Sequence, residues 1–188
     1  MIFESGRSQE SIVGPERFSG RMFEADVLGS VVVKTKWMER ARKMGITEVG
    51  YLPFEKAVEL AREFQHGDPT NPEKNFANDL RLAIIERLEK RDFLKLGDED
   101  NVKFYSALGM PLDVFHGIDA FIEFTDRLSV THRVTLDETA NPAKLEGGHK
   151  ADIVFEPVPD AVEEEASYLQ EIDRLADKAT IFLLRDLS

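Results

Sequence analysis

The sequence predicts an α+β fold: N-terminal helices, then an antiparallel strand meander, then a C-terminal helix. Three observations carry this. Phe76, Leu80, Ile84 and Leu88 recur every four residues, the spacing of one helix face. Residues 117–124 and 132–139 both alternate apolar with polar side chains, the pattern of half-buried strands. The break between them, from Thr125 to about Thr131, is short enough for a hairpin. The chain reads as a peripheral N-terminus (1–20) and a single α+β domain (21–188), helical to about 96 and sheet-containing from about 97.

Each element follows from local pattern. A first helix spans about Ser30 to Met44, with Val33, Trp37, Ala41 and Met44 as its stripe and Gly45 as its stop. Pro53 opens a second helix, through about Phe64, whose stripe is Ala57, Leu60, Ala61 and Phe64. After a loop at 66–72, Asn71 is placed to cap a third helix with Pro72 at its first position. Residues 97–100 form a turn, Val102 to Leu108 reads as a short helix, and Gly109-Met110-Pro111 ends it. Then comes the hairpin, followed by a loop through 139–150, a third strand at about Ala151 to Phe155, and a helix from about Asp160 to Asp177. That helix is acidic at its start, where the macrodipole favours negative charge. Thr180 to Leu184 is either a last strand or the helix end.

Composition narrows the function classes. The 188 residues are 42% hydrophobic and 32% charged, as in ordinary globular domains. No run of about 18 apolar residues is present, so no membrane span or membrane partner is expected. Residues 1–20 lack the basic start and apolar core of a secretory signal. Zero cysteines exclude disulfides, thiolate metal sites and cysteine nucleophiles, and the expected location is the cytoplasm. The net charge of −12 is uneven: residues 1–50 carry +1, and residues 51–188 carry −13. Such a chain lacks the basic field of most high-affinity DNA binders. Lys34, Lys36, Arg40, Arg42 and Lys43 form a basic cluster, readable as a solvated helix face or a phosphate-binding surface. Neither a Walker loop nor a Rossmann fingerprint occurs, and Ser129 and Ser167 lack a nucleophile-elbow context.

The hairpin carries the candidate chemistry. If Asp119 pairs with Asp137, the fold-back centres on Leu128 and both carboxylates share one face at one end of the sheet. Ile118, Ile122, Val134 and Leu136 then take the other face, toward a core, and Glu138 points there too if the strand is regular. Glu123 shares the face of Asp119. Two acids side by side repel unless a cation lies between them, and magnesium or manganese would fill that role. The same acids also serve as turn and strand-end residues without any metal, so both readings stay open. His116, His132 and His149 fall in one window, and with His66 they read as surface or hydrogen-bonded histidines in preference to ligands.

An acid opening one strand, a hairpin, then an acid-x-Lys motif ending the next strand is the pattern of the PD-(D/E)XK nuclease superfamily, which this hairpin resembles. Asp119 matches that family's first acid and Asp137 its second, over roughly residues 72–156. The resemblance implies a restriction-endonuclease-like core, a metal-dependent phosphodiesterase acting on DNA or RNA, and Mg or Mn held by Asp119 and Asp137. Glu138 ranks behind them, and Glu86 on the preceding helix takes the place of the glutamate that the family often supplies there. One departure stands out: the family's lysine position is Thr139, so Lys144 or Lys150 would have to assist the attacking water. The alternative is a non-catalytic interaction or scaffold protein retaining the nuclease-like fold. A homodimer is compatible with the family's habit, and docking of the acidic C-terminal half on a basic protein is a third reading.

Overall fold

The computed structural model describes residues 24–140 and 151–187. In chain order the elements are α1 (Lys34–Met44), α2 (Phe54–Glu63), α3 (Asn75–Lys90), β1 (Val102–Ser106), α4 (Pro111–His116), β2 (Ala120–Thr125), β3 (Thr131–Glu138), β4 (Ile153–Phe155) and α5 (Glu165–Leu184). The α+β class is therefore the one expected. Helix stripes are mostly where the periodicity puts them: Trp37, Ala41 and Met44 on α1, and Phe76, Leu80, Ile84 and Leu88 on α3, are all buried, whereas Val33 precedes α1 as its N-cap and is exposed. Gly45 stops α1 in the left-handed conformation, φ 88°, with its N–H donated to the Arg42 carbonyl at 3.1 Å.

Several boundaries differ, for local reasons. Helix α3 starts at Asn75, because Asn71 is committed to a turn in which the Asp68 side chain accepts the Thr70 N–H at 2.8 Å. Residues 102–106 are a strand, not a helix. Their short apolar run fits either period, and pairing with β2 decides it. Pro111, expected to end a helix, opens α4 from its first turn. The C-terminal helix continues to Leu184 because Ala179 and Leu183 extend its buried stripe past Asp177.

The sheet order is β1-β2-β3-β4. The first three strands are an antiparallel meander, of which only the β2–β3 hairpin is expected from the sequence; β4, expected to continue that meander, runs parallel to β3. Nor are the strands half-buried. Five of the six β2 residues are buried, because helices cover both sheet faces. On one face α3 and α5 pack over Phe104, Ile122, Phe124, Val134 and Leu136. On the other, α1, α2 and α4 pack over Tyr105 and Phe121, whose rings stack at 4.8 Å. Ile118 joins this second cluster instead of the first, because it precedes β2 and follows the left-handed turn at Gly117. Each fully buried phenylalanine contributes about 1.5–3 kcal/mol of apolar transfer, so Phe121 and Phe124 anchor β2 to opposite layers. Among the described residues, no helix is long and apolar enough to cross a membrane.

Candidate functional site

The acidic end of the sheet is set by two turns. At the hairpin tip, Asp126 Oδ1 accepts the N–H groups of Leu128 (2.8 Å) and Val130 (2.9 Å), with Ser129 at φ 63°. That turn fixes the register from Thr125↔Thr131 to Ala120↔Leu136. The ladder ends there: the Asp119 N–H also turns to the Leu136 carbonyl, so the expected pairing of Asp119 with Asp137 lies one step beyond the paired residues, although the Asp137 charge still acts on Asp119. At the other end, Gly117 closes α4 with φ 62° and delivers the chain into β2. Asp119 is held there by its N–H on the Leu136 carbonyl (2.9 Å) and its carbonyl on the Ala107 N–H (2.7 Å).

Three carboxyl groups are buried at this end: Asp119 at 4% exposure, Asp137 at 6% and Glu138 at 3%. Asp119 Oδ2 accepts the Glu138 N–H at 2.8 Å. The side chain thus takes an amide that the β2 ladder no longer reaches, which is a structural role whether or not anything binds. Glu138 differs. Both of its carboxyl oxygens are buried and have no hydrogen-bond partner among the described residues.

The surroundings push both groups toward neutrality. Burial raises the Asp119 carboxyl to about 9, helped by the charges of Glu24, Asp113 and Asp137 and opposed by the Glu138 N–H. Burial likewise raises Glu138 to about 7, with Glu24 and Asp137 adding to it. Glu24 and Asp113 were not among the candidates read from the sequence. Glu24 lies in a short segment without visible period, anchored at Leu28 in the core and by the Val32 N–H on the Leu108 carbonyl at 3.1 Å. Asp113 did carry a signal: it follows Pro111 in a helix start, and its Oδ2 accepts the Gly109 N–H at 2.8 Å.

Other candidates lie elsewhere. Glu86 is not at this site: it stands on the exposed side of α3 and pairs with Lys90 at 2.8 Å. The reason is angular, since two residues beyond the buried Ile84 is about 200° around the helix. Lys144, Lys150 and His149 lie outside the described residues, as does the 147–148 glycine pair. Thr139 is buried, and its N–H donates to the Phe155 carbonyl at 2.9 Å. Glu123 shares the Asp119 face but belongs to a closed ion network, gripped by Arg62 and by Arg133 Nε at 2.8 Å. His116 bonds the Leu52 carbonyl at 2.8 Å and His132 the Asp126 carboxylate at 3.1 Å, as hydrogen-bonded histidines do. Within the basic cluster, Arg40 is held by Glu59 and Glu63, and Lys43 by Glu39.

Fold and site together define an α+β domain whose mixed sheet is covered on both faces and ends in a buried group of acids. No family model, curated protein or solved structure matches the chain.

Proposed function

We propose that the acidic end of the sheet binds magnesium or manganese and hydrolyses phosphodiester bonds in DNA or RNA, as its resemblance to the PD-(D/E)XK nucleases implies. One observation carries the reading: the Glu138 carboxyl is buried with neither oxygen bonded to any described residue, beside Asp119 and Asp137. A desolvated carboxylate without a donor is costly, and a hard divalent cation is the natural partner for oxygen ligands. One or two of Asp119, Asp137 and Glu138 would hold it. Among the described residues no group of three or more His, Asp or Glu side chains is arranged around one point. Magnesium needs only one or two protein carboxylates, because it retains several waters. When bound, such an ion supplies Lewis acidity toward a phosphoryl oxygen and lowers the pKa of a water. The chain's own contribution is to exclude bulk water and set the carboxyls by the hairpin register, with Lys144 or Lys150 assisting the attacking water.

The test is manganese titration by calorimetry together with cleavage of plasmid, single-stranded DNA and RNA. Asp119→Asn is expected to abolish metal-dependent cleavage while the protein stays folded, and unchanged cleavage by that variant sinks the proposal.

A second reading, a non-catalytic scaffold, is favoured by one specific observation. The family's lysine position is Thr139, a buried residue bonded to β4 through its backbone. This reading predicts no heat with magnesium or manganese and no cleavage of any substrate.

A further inference from the structure

We propose that the open edge of β3, at the end of the sheet away from the acids, is a binding site for an extended peptide that alternates lysine with apolar residues and adds as a fifth strand.

Strand β3 runs from Thr131 to Glu138, but β4 pairs only with Leu136–Glu138. Among the described residues, the first five residues of β3 therefore have no strand beside them on that side. The direction of their backbone groups follows from two bonds. Val130 gives its carbonyl to Asp126 across the hairpin, so even-numbered residues bond inward to β2. Thr135 donates its N–H outward, to Asp152 Oδ2 at 2.9 Å. Ladder alternation then aims the N–H and C=O of Thr131 and Arg133 outward too. Asp152 ends this stretch, since its own N–H returns to Thr135 Oγ1 at 2.9 Å. What remains is a short row of backbone donors and acceptors, the kind of edge that accepts a strand.

A cleft of about 620 Å³ runs along this edge, between the start of α2 at Phe54 and Glu55 and the end of α5 at Phe182–Leu187. Its charge selects the occupant. Glu55 and Asp186 are 76% and 73% exposed, while Asp152 lines the cleft half-buried and Asp126 lines it nearly buried in the hairpin turn. Its two arginines pair with these same acids, Arg133 with Glu55 and with Glu123, and Arg185 with Asp152 and Asp186, so the lining sets four carboxylates against two guanidinium groups. The cleft therefore presents an acidic rim to a cationic ligand. At its hairpin end Leu128 and Val130 are 82% and 50% exposed, an apolar landing for alternate side chains of a strand. This site shares no residue with the acidic end, so it stands or falls independently of the phosphodiesterase reading.

The test uses the full chain and three fluorescein-labelled octapeptides in anisotropy titrations: alternating Lys-Val, the same peptide N-methylated at every peptide bond so that neither edge can donate, and alternating Glu-Val. Lys-Val is expected to bind saturably and Glu-Val not at all. N-methylation removes the strand bonds but keeps the charge, and is expected to weaken binding at least about tenfold. Thr131→Pro deletes one outward N–H at a strand start, where proline is tolerated, and should weaken Lys-Val to a similar degree. Glu55→Lys with Asp186→Lys should weaken it further at low salt. If Thr131→Pro does not fold, the N-methylated peptide on the unaltered chain decides the matter. Equal binding of the methylated and unmethylated peptides, or no binding of either, overturns the proposal. So does sedimentation showing a dimer that Thr131→Pro dissociates, since the edge would then be filled by a second copy.

Discussion

Glu123 and Glu138 are both buried glutamates in the same hairpin, at 5% and 3% exposure, yet their surroundings are opposite. Glu123 sits between two guanidinium groups, from Arg62 on α2 and Arg133 on β3, and every one of its oxygens is bonded. Neither carboxyl oxygen of Glu138 is bonded among the described residues, and the charges of Glu24 and Asp137 act to hold it protonated. Burial is thus common to both and carries no functional message by itself. Compensation is what separates a structural carboxylate from one that awaits a proton or a cation.

The largest expected effect comes from breaking the compensated side. Glu123→Gln leaves two partly buried arginines without their counter-charge. Full burial of such a pair would cost about 3–5 kcal/mol on breaking. The Arg62 side chain is 37% exposed, so screening reduces this to about 2 kcal/mol. Urea unfolding at pH 7 measures it, and a change below about 0.5 kcal/mol would show that the network is not stabilising.

The uncompensated side should respond in the opposite direction. Both acids have folded pKa values above their ordinary ones: about 9 against 3.8 for Asp119, and about 7 against 4.5 for Glu138. The folded state therefore holds protons that the unfolded state releases. Stability from these groups is fully present below the ordinary values and is lost as pH rises through the folded ones. Glu138→Met, similar in volume and without charge, should melt a few degrees above the unaltered protein at pH 8 in metal-free buffer. That gap should open between pH 4.5 and 7 and nearly vanish below it. Asp119→Asn should behave likewise over the wider window from pH 3.8 to 9, since its amide oxygen still accepts the Glu138 N–H. Manganese at pH 8 should raise the melting temperature of the unaltered protein by mass action and leave Glu138→Met unmoved. Scanning calorimetry against pH reads all of these shifts, and a lower melting temperature for Glu138→Met at pH 8 would mean that the carboxyl is satisfied.

The smallest effect sharpens the comparison by its absence. Glu86→Ala removes an exposed ion pair with Lys90, and such pairs contribute little. Melting temperature and manganese heat should both be unchanged. A loss of manganese heat would return Glu86 to the site.

The hairpin was the most legible part of the molecule. Its strands alternate, and the short turn leaves one register that keeps Ile122, Val134 and Leu136 in a core and carries Asp119 and Asp137 to the same end of the sheet. Residues 102–106 were misread because Val-Lys-Phe-Tyr-Ser is buried on both sides and therefore shows no strand alternation. Glu86 was misplaced because its position came from a family pattern, while the α3 stripe at Ile84 and Leu88 turns it outward. Arg62 grips Glu123 from 61 residues away, and no local pattern announces such a pair.

The sequence by itself determined the helix stripes, the stop at Gly45, the α+β order and the hairpin register. Each of these follows from backbone period or turn chemistry within a few residues. Tertiary structure decided that both sheet faces are covered, that β4 runs parallel, and that Glu123 is neutralised by two arginines while no described residue bonds the Glu138 carboxyl. Those outcomes depend on which distant elements meet at a given carboxyl, because the cost of a buried charge is set by its neighbours and not by its place in the chain.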